Sequence, residues 1–156
     1  MTINKSLHGR GRRLDSYPPR PIKKFHVRWA ESLGLPDKPY MKRYLFNLWL
    51  FSIRIHVWYA GDDTRYMHDH AFDFFTFVLK GGYTDVTENG SEWLGRFSLR
   101  YRKAEHLHYV SKPINTTVTL LLCFKPKRKW GFKVNDKMMR PLRYFSRYGH
   151  EDTHNK

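Results

Sequence analysis

The densest chemistry in the chain lies in Tyr66-Met67-His68-Asp69-His70-Ala71-Phe72-Asp73-Phe74-Phe75. On an extended backbone side chains alternate faces, so His68 and His70 project from one face, ~7 Å apart along the strand. Such a pair supplies two ligands of a metal site, and a third must come from another strand. His108, closing Ala104-Glu105-His106-Leu107-His108, is the best-placed third donor, with His106 and His56 also available. Imidazoles suit Fe(II), Zn, Ni, Cu or Mn, and residue types alone do not choose among them. The opposing reading is a set of ordinary surface or core histidines, since a basic chain with 9 histidines produces an HxH pair by chance. Asp73 and Glu105 are the carboxylates nearest in sequence with a path to such a pocket. His56, Tyr83 and His106 complete the groups that could orient the imidazoles or meet a substrate. Asp69 faces away from the pair and reads as a pin for the turn. His8, His150 and His154 fall in polar terminal segments and read as solvated.

The elements that must position these groups are short and β-like. Runs rich in aromatic and β-branched residues predict strands at 43–50, 52–59, 66–72, 74–79, 83–87, 96–101, 108–110, 116–124 and 129–134. Gly61-Asp62-Asp63, Gly81-Gly82, Glu88-Asn89-Gly90 and Ser111-Lys112-Pro113 supply the breaks. Many strands with no long helical pattern between them argue for an antiparallel sandwich or barrel. Tyr44, Phe46, Trp49 and Phe51 sit at strand spacing and read as core. In 116–124 both alternating sets are apolar, as in a central strand. The segment 25–35 reads as a short helix ending near Gly34, and the polar tail after Phe145 reads as fraying.

Taken in order, these segments resemble the cupin superfamily, small β-barrels with two motifs separated by a variable loop. The first family motif is a glycine, HxH, an acidic residue three or four places on, and a glycine. Gly61, His68-Asp69-His70 and Gly81-Gly82 stand in those places. Of the second motif, PxGxxH and then an asparagine, 103–108 retains only the final histidine. HDHAFDFFTFVLKGGYTD, AEHLHYV and FKPKRKWGF look like small, uncharacterised cupins of phages and bacteria, over roughly 40–132. The resemblance implies an all-β, single-domain jelly-roll barrel (a double-stranded β-helix) over 40–134. Residues 1–39 would then be a basic arm and 135–156 a C-terminal extension. It also implies a three-histidine site at His68, His70 and His108 holding a divalent transition metal, Fe or Zn first. A small-molecule ligand, oxygenase- or isomerase-type chemistry and pairing into homodimers follow from it as expectations. Two departures matter, one being that the glycine and proline of the second motif are absent. The acidic ligand position falls on Phe74 or Phe75, while Asp73 comes one residue early and points to the other face. A metal-free cupin is the alternative.

Charge supports a second class of function. Lys+Arg total 29 against Asp+Glu 14, a net charge of +15 over 156 residues, which attracts polyanions. Arg10, Arg12 and Arg13 in the arm, with Lys125, Lys127, Arg128 and Lys129, are the candidate phosphate contacts. On this reading the barrel is a scaffold for a structural or nucleic-acid-associated protein, such as a virion or nucleoprotein component. No helix-turn-helix, zinc-finger or RNA-recognition signature accompanies the charge. The single Cys123 excludes an intrachain disulfide framework and reads as a small core residue. The longest apolar stretch, 44–60, is interrupted by Asn47, Arg54 and His56 and falls short of the ~20 residues of a membrane helix. A cytoplasmic protein with no membrane partner is therefore expected, in the host cell if the gene is a phage's, with virion association under the second reading.

Overall fold

In chain order the strands are β1 (His26–Gly34), β2 (Pro39–Asn47), β3 (Ser52–Trp58), β4 (Phe74–Lys80), β5 (Gly82–Thr87) and β6 (Gly90–Gly95). They continue with β7 (Leu99–Arg102), β8 (Tyr109–Ser111), β9 (Thr117–Cys123), β10 (Phe132–Val134) and β11 (Lys137–Met139), and helix α1 (Pro141–Tyr148) follows. The structure is a computed structural model, and it describes residues 25–154. Arg10, Arg12 and Arg13 lie outside the described residues. Six strands form an antiparallel sheet in the order β1-β2-β3-β9-β4-β7, and β6-β5-β8 form a second. Met41, Trp58 and Val78 of the larger sheet pack against Tyr83, Leu94 and Val110 of the smaller, making one core between two layers. Each such large side chain contributes roughly 1.5–3 kcal/mol by leaving water. This is an all-β jelly roll.

The larger sheet inverts the usual alternation. On β3 the buried or cavity-facing residues are Ser52, Arg54, His56 and Trp58, and Ile53, Ile55 and Val57 take the other face. On β9 the buried set is Thr117, Thr119, Leu121 and Cys123. Trp58 Nε1 donates to Thr119 Oγ1 at 3.2 Å, which satisfies a polar pair inside the barrel. Phe75, Leu79, Leu99, Tyr101 and Leu122 are exposed on the outer face. The interior is polar because it lines a cavity.

Four expectations are corrected. The segment 25–35 is a strand and not a helix: exposed Val27 and Trp29 alternate with half-buried His26 and Arg28, and β2 completes the ladder. The first part of the sheet thus comes from within the stretch expected to be an arm. A bulge between Arg28 and Glu31, with Ala30 at φ +50°, turns Glu31 to face Arg43. Residues 66–72 form no regular strand, because their backbone groups go to several partners. The tail after Phe145 does not fray: α1 runs to Tyr148, Tyr144 stacks on Phe132 at 3.8 Å, and Thr153 Oγ1 donates to the Gly61 carbonyl at 2.6 Å. Finally, Trp49 and Phe51 are exposed in the β2–β3 turn and not core.

Candidate metal centre

The His68-Asp69-His70 segment is held by its backbone. His68 N–H donates to the His108 carbonyl at 2.9 Å and receives the reciprocal bond at 3.0 Å, while His70 N–H donates to Ala104 at 2.8 Å. Asp69 points away from the pair, as its position predicts. Its N–H donates to the Gly131 carbonyl, its Oδ1 accepts from Gly131 N–H at 2.8 Å, and its Oδ2 meets Arg128 at 2.9 Å. Asp73 does not reach the pocket. It accepts from Ala104 N–H and pairs with Lys127, both at 2.7 Å, and so braces the loop that receives His70. Glu105 is 57 % exposed on its side chain and faces Lys127 and Arg128, which removes it from the site. Lys127 and Arg128, expected to contact phosphates, thus have carboxylate partners within the chain, and these pairs help to anchor the histidine loop. Lys125 lies over the Trp49 ring at 5.8 Å.

The three imidazoles meet between the sheets. Ring centroids are 5.2 Å apart for His68 and His70, and 5.0 Å for each of these with His108. One nitrogen from each lies within 4.8 Å of the others, and the Nε2 atoms of His70 and His108 are 2.8 Å apart. Phe132 and Trp130 flank His68, while Phe74 packs on His70 at 4.6 Å between centroids. Burial pulls His68 down to about 3 and His70 well below the ordinary histidine value, so both rings are neutral. Neutral rings keep lone pairs available to a cation.

Asp85, which nothing in the sequence singles out, is the most consequential addition. It is 2 % exposed on β5, and its Oδ1 accepts from His108 Nδ1–H. That bond fixes the tautomer and leaves His108 Nε2 free to face the other two rings. His106 Nε2 sits 3.1 Å from Asp85 Oδ2, and Arg102 donates to the same oxygen at 2.8 Å. Burial by itself would raise the Asp85 value, but the hydrogen bonds from His106 and His108 outweigh it and hold the group far below the carboxylate range. The donor set fits a divalent transition metal: three imidazoles, two held neutral by burial, with the third oriented by an anionic carboxylate.

The histidines open on a cavity of about 770 Å³, a volume suited to a small organic molecule. His56, Tyr83, Trp58, Thr76 and Asp62 also line it. Tyr83 is pushed up to about 12, first by burial, and stays protonated. Asp62 accepts from Val110 N–H at 3.0 Å, and burial pushes it up to about 6. Sequence reasoning did not pick out Asp62; its place in the Gly61-Asp62-Asp63 turn was the only signal.

The architecture is also recognisable by comparison. Over 65 % of this chain and 55 % of the other, it superposes on the DMSP lyase DddQ from Ruegeria pomeroyi DSS-3, with a TM-score of 0.50 and 15 % identity. A structure of the DMSP lyases RdDddP and RnDddQII matches 64 % of this chain and 57 % of its own, with TM-score 0.50 and 18 % identity. A cupin domain from Bordetella pertussis Tohama I matches 56 % of this chain and 96 % of its own, with TM-score 0.46 and 17 % identity. The chain spans little more than half the length of the two lyase structures. No protein-family model matches, and no curated protein matches in sequence. At 15 and 18 % identity, the likeness to the two lyase structures is one of fold alone.

Proposed function

We propose that the protein is a mononuclear metalloenzyme whose His68, His70 and His108 hold a divalent transition metal, iron or zinc first, against a small-molecule substrate in the 770 Å³ cavity. The observation that carries this reading is the convergence of three imidazoles with His108 oriented by Asp85. When bound, such a metal supplies Lewis-acid polarisation and open positions for a substrate oxygen. The chain's own residues do the rest. Asp85 keeps the proton on His108 Nδ1, the hydrogen bonds from His106 and His108 keep Asp85 anionic, and Arg102 donates to its Oδ2. Phe74, Phe132 and Trp130 pack around the imidazoles and exclude water from their flanks. The fold alone does not select the reaction, because one fold hosts many chemistries.

Metal analysis of the purified protein beside the His68→Ala/His70→Ala double variant tests the reading. Close to one equivalent of metal is expected in the wild type and a small fraction in the variant. Equal, negligible metal in both proteins overturns it and leaves the barrel a metal-free scaffold.

A further inference from the structure

The cavity wall opposite the smaller sheet carries an uneven charge. Arg28, Arg43 and Arg54 all line it, and Glu31 is a carboxylate that pairs with the first two. Arg43 takes Glu31 Oε2 with its Nε and Nη2 at 3.1 and 2.7 Å, and Arg28 approaches Oε1 at 3.4 Å. Arg54 forms no ion pair among the described residues. Its Nε is 3.4 Å from Ser52 Oγ, and its guanidinium carbon lies 4.2 Å from the centre of the Phe72 ring. Burial lowers its affinity for the proton, and Arg43 and Arg28 add to that effect. A desolvated cation without a counter-charge costs stability, and a protein retains one where a ligand supplies the missing charge.

Position strengthens the argument. Arg54 and His56 lie two residues apart on β3, and both line the cavity. His56 is 8 % exposed, its Nε2 has no hydrogen-bond partner among the described residues, and burial holds the ring neutral. Phe72, under Arg54, is 6.2 Å from the His70 ring, so a single aromatic side chain separates the guanidinium from the imidazole cluster. That is the span of a small molecule.

We infer that Arg54 is the anion-binding residue of the cavity and that the substrate of the proposed metal centre is a small carboxylate, its carboxyl end on Arg54 and its reacting end at His68, His70 and His108. A planar guanidinium fork matches a carboxylate in two parallel hydrogen bonds. Arg54 is the single cation left unpaired there among the described residues, which favours a monoanionic group over a phosphate dianion. The inference rests on the metal reading for the substrate's orientation, but the anion site itself does not need the metal.

Calorimetric titration of the purified protein with succinate, with its neutral diamide and with inorganic phosphate, each up to about 50 mM, tests it. Succinate is expected to bind in the millimolar range and the diamide not at all. Arg54→Met, which keeps the stem's packing on Phe72 and removes the charge, should weaken succinate at least about tenfold. Arg54→Gln serves as a second variant if the first fails to fold, and metal content is measured on both. In the His68→Ala/His70→Ala variant succinate binding should persist, so loss of metal and loss of the anion site are read separately. Unchanged affinity in the Arg54 variants, equal binding of the diamide, or no succinate binding at all overturns the inference. Phosphate binding more tightly than succinate overturns the carboxylate assignment.

Discussion

Replacing Asp62 by asparagine should stabilise the protein at neutral pH and flatten one part of its pH profile. The carboxyl is 8 % exposed, and burial raises it from 3.8 to about 6. A carboxyl whose folded value lies above its unfolded value contributes stability below pH 4, and that contribution is lost as pH rises through 6. A shift of about 2 units at 1.36 kcal/mol per unit puts the full loss at about 3 kcal/mol by pH 7.5. An asparagine carbonyl can still accept from Val110 N–H, but its amide group brings donors the carboxylate lacked, so the net gain is about 1–3 kcal/mol. For a chain of this size that is a rise of roughly 3–10 °C in melting temperature at pH 7.5. Thermal or urea unfolding of both proteins between pH 4 and 7.5 measures it. The curves should converge near pH 4 and separate through pH 6, and histidines that titrate in both proteins cancel in the difference. Parallel curves, or a variant less stable at pH 7.5, would refute the claim that Asp62 is a carboxyl forced into its charged form.

Three further outcomes follow from particular contacts. Asp85→Asn removes the anion that orients His108, so metal affinity in a chelator competition should fall about 10–100-fold with the fold retained. Gly81 sits at φ +73°, and an added Cβ would lie 2.9 Å from the Ile114 carbonyl oxygen, so Gly81→Ala should cost on the order of 1–3 kcal/mol in denaturant unfolding. Arg128→Gln removes the ion pair to buried Asp69, and hydrogen exchange at the Asp69 and Gly131 amides should quicken before any global loss of stability.

The strand spacing of His68 and His70, the third histidine at 108, the turns at Gly81-Gly82 and Glu88-Asn89-Gly90, and the all-β class were legible in the chain itself. Each depends on local period or turn chemistry, which a short window of residues carries. The HxH pair shares a face even though 66–72 is no regular strand, because bridges at His68 hold the backbone extended where it matters. Misread segments were those where local pattern admits two answers: 25–35, a helix until β2 offers it a ladder, and the polar tail, which α1 and Thr153 anchor from a distance.

Only the tertiary structure decided which groups serve the imidazoles. Asp85 comes beside His108 because β5 pairs with β8, setting Asp85 opposite Val110, and no spacing along the chain encodes that register. Arg54 and Arg43 read alike as residues, and a bulge in β1 makes Arg43 a paired cation while Arg54 faces the cavity without an ion pair among the described residues. The chain's chemistry was therefore written in its residue types, while their protonation, orientation and partners depend on burial and on contacts between distant strands.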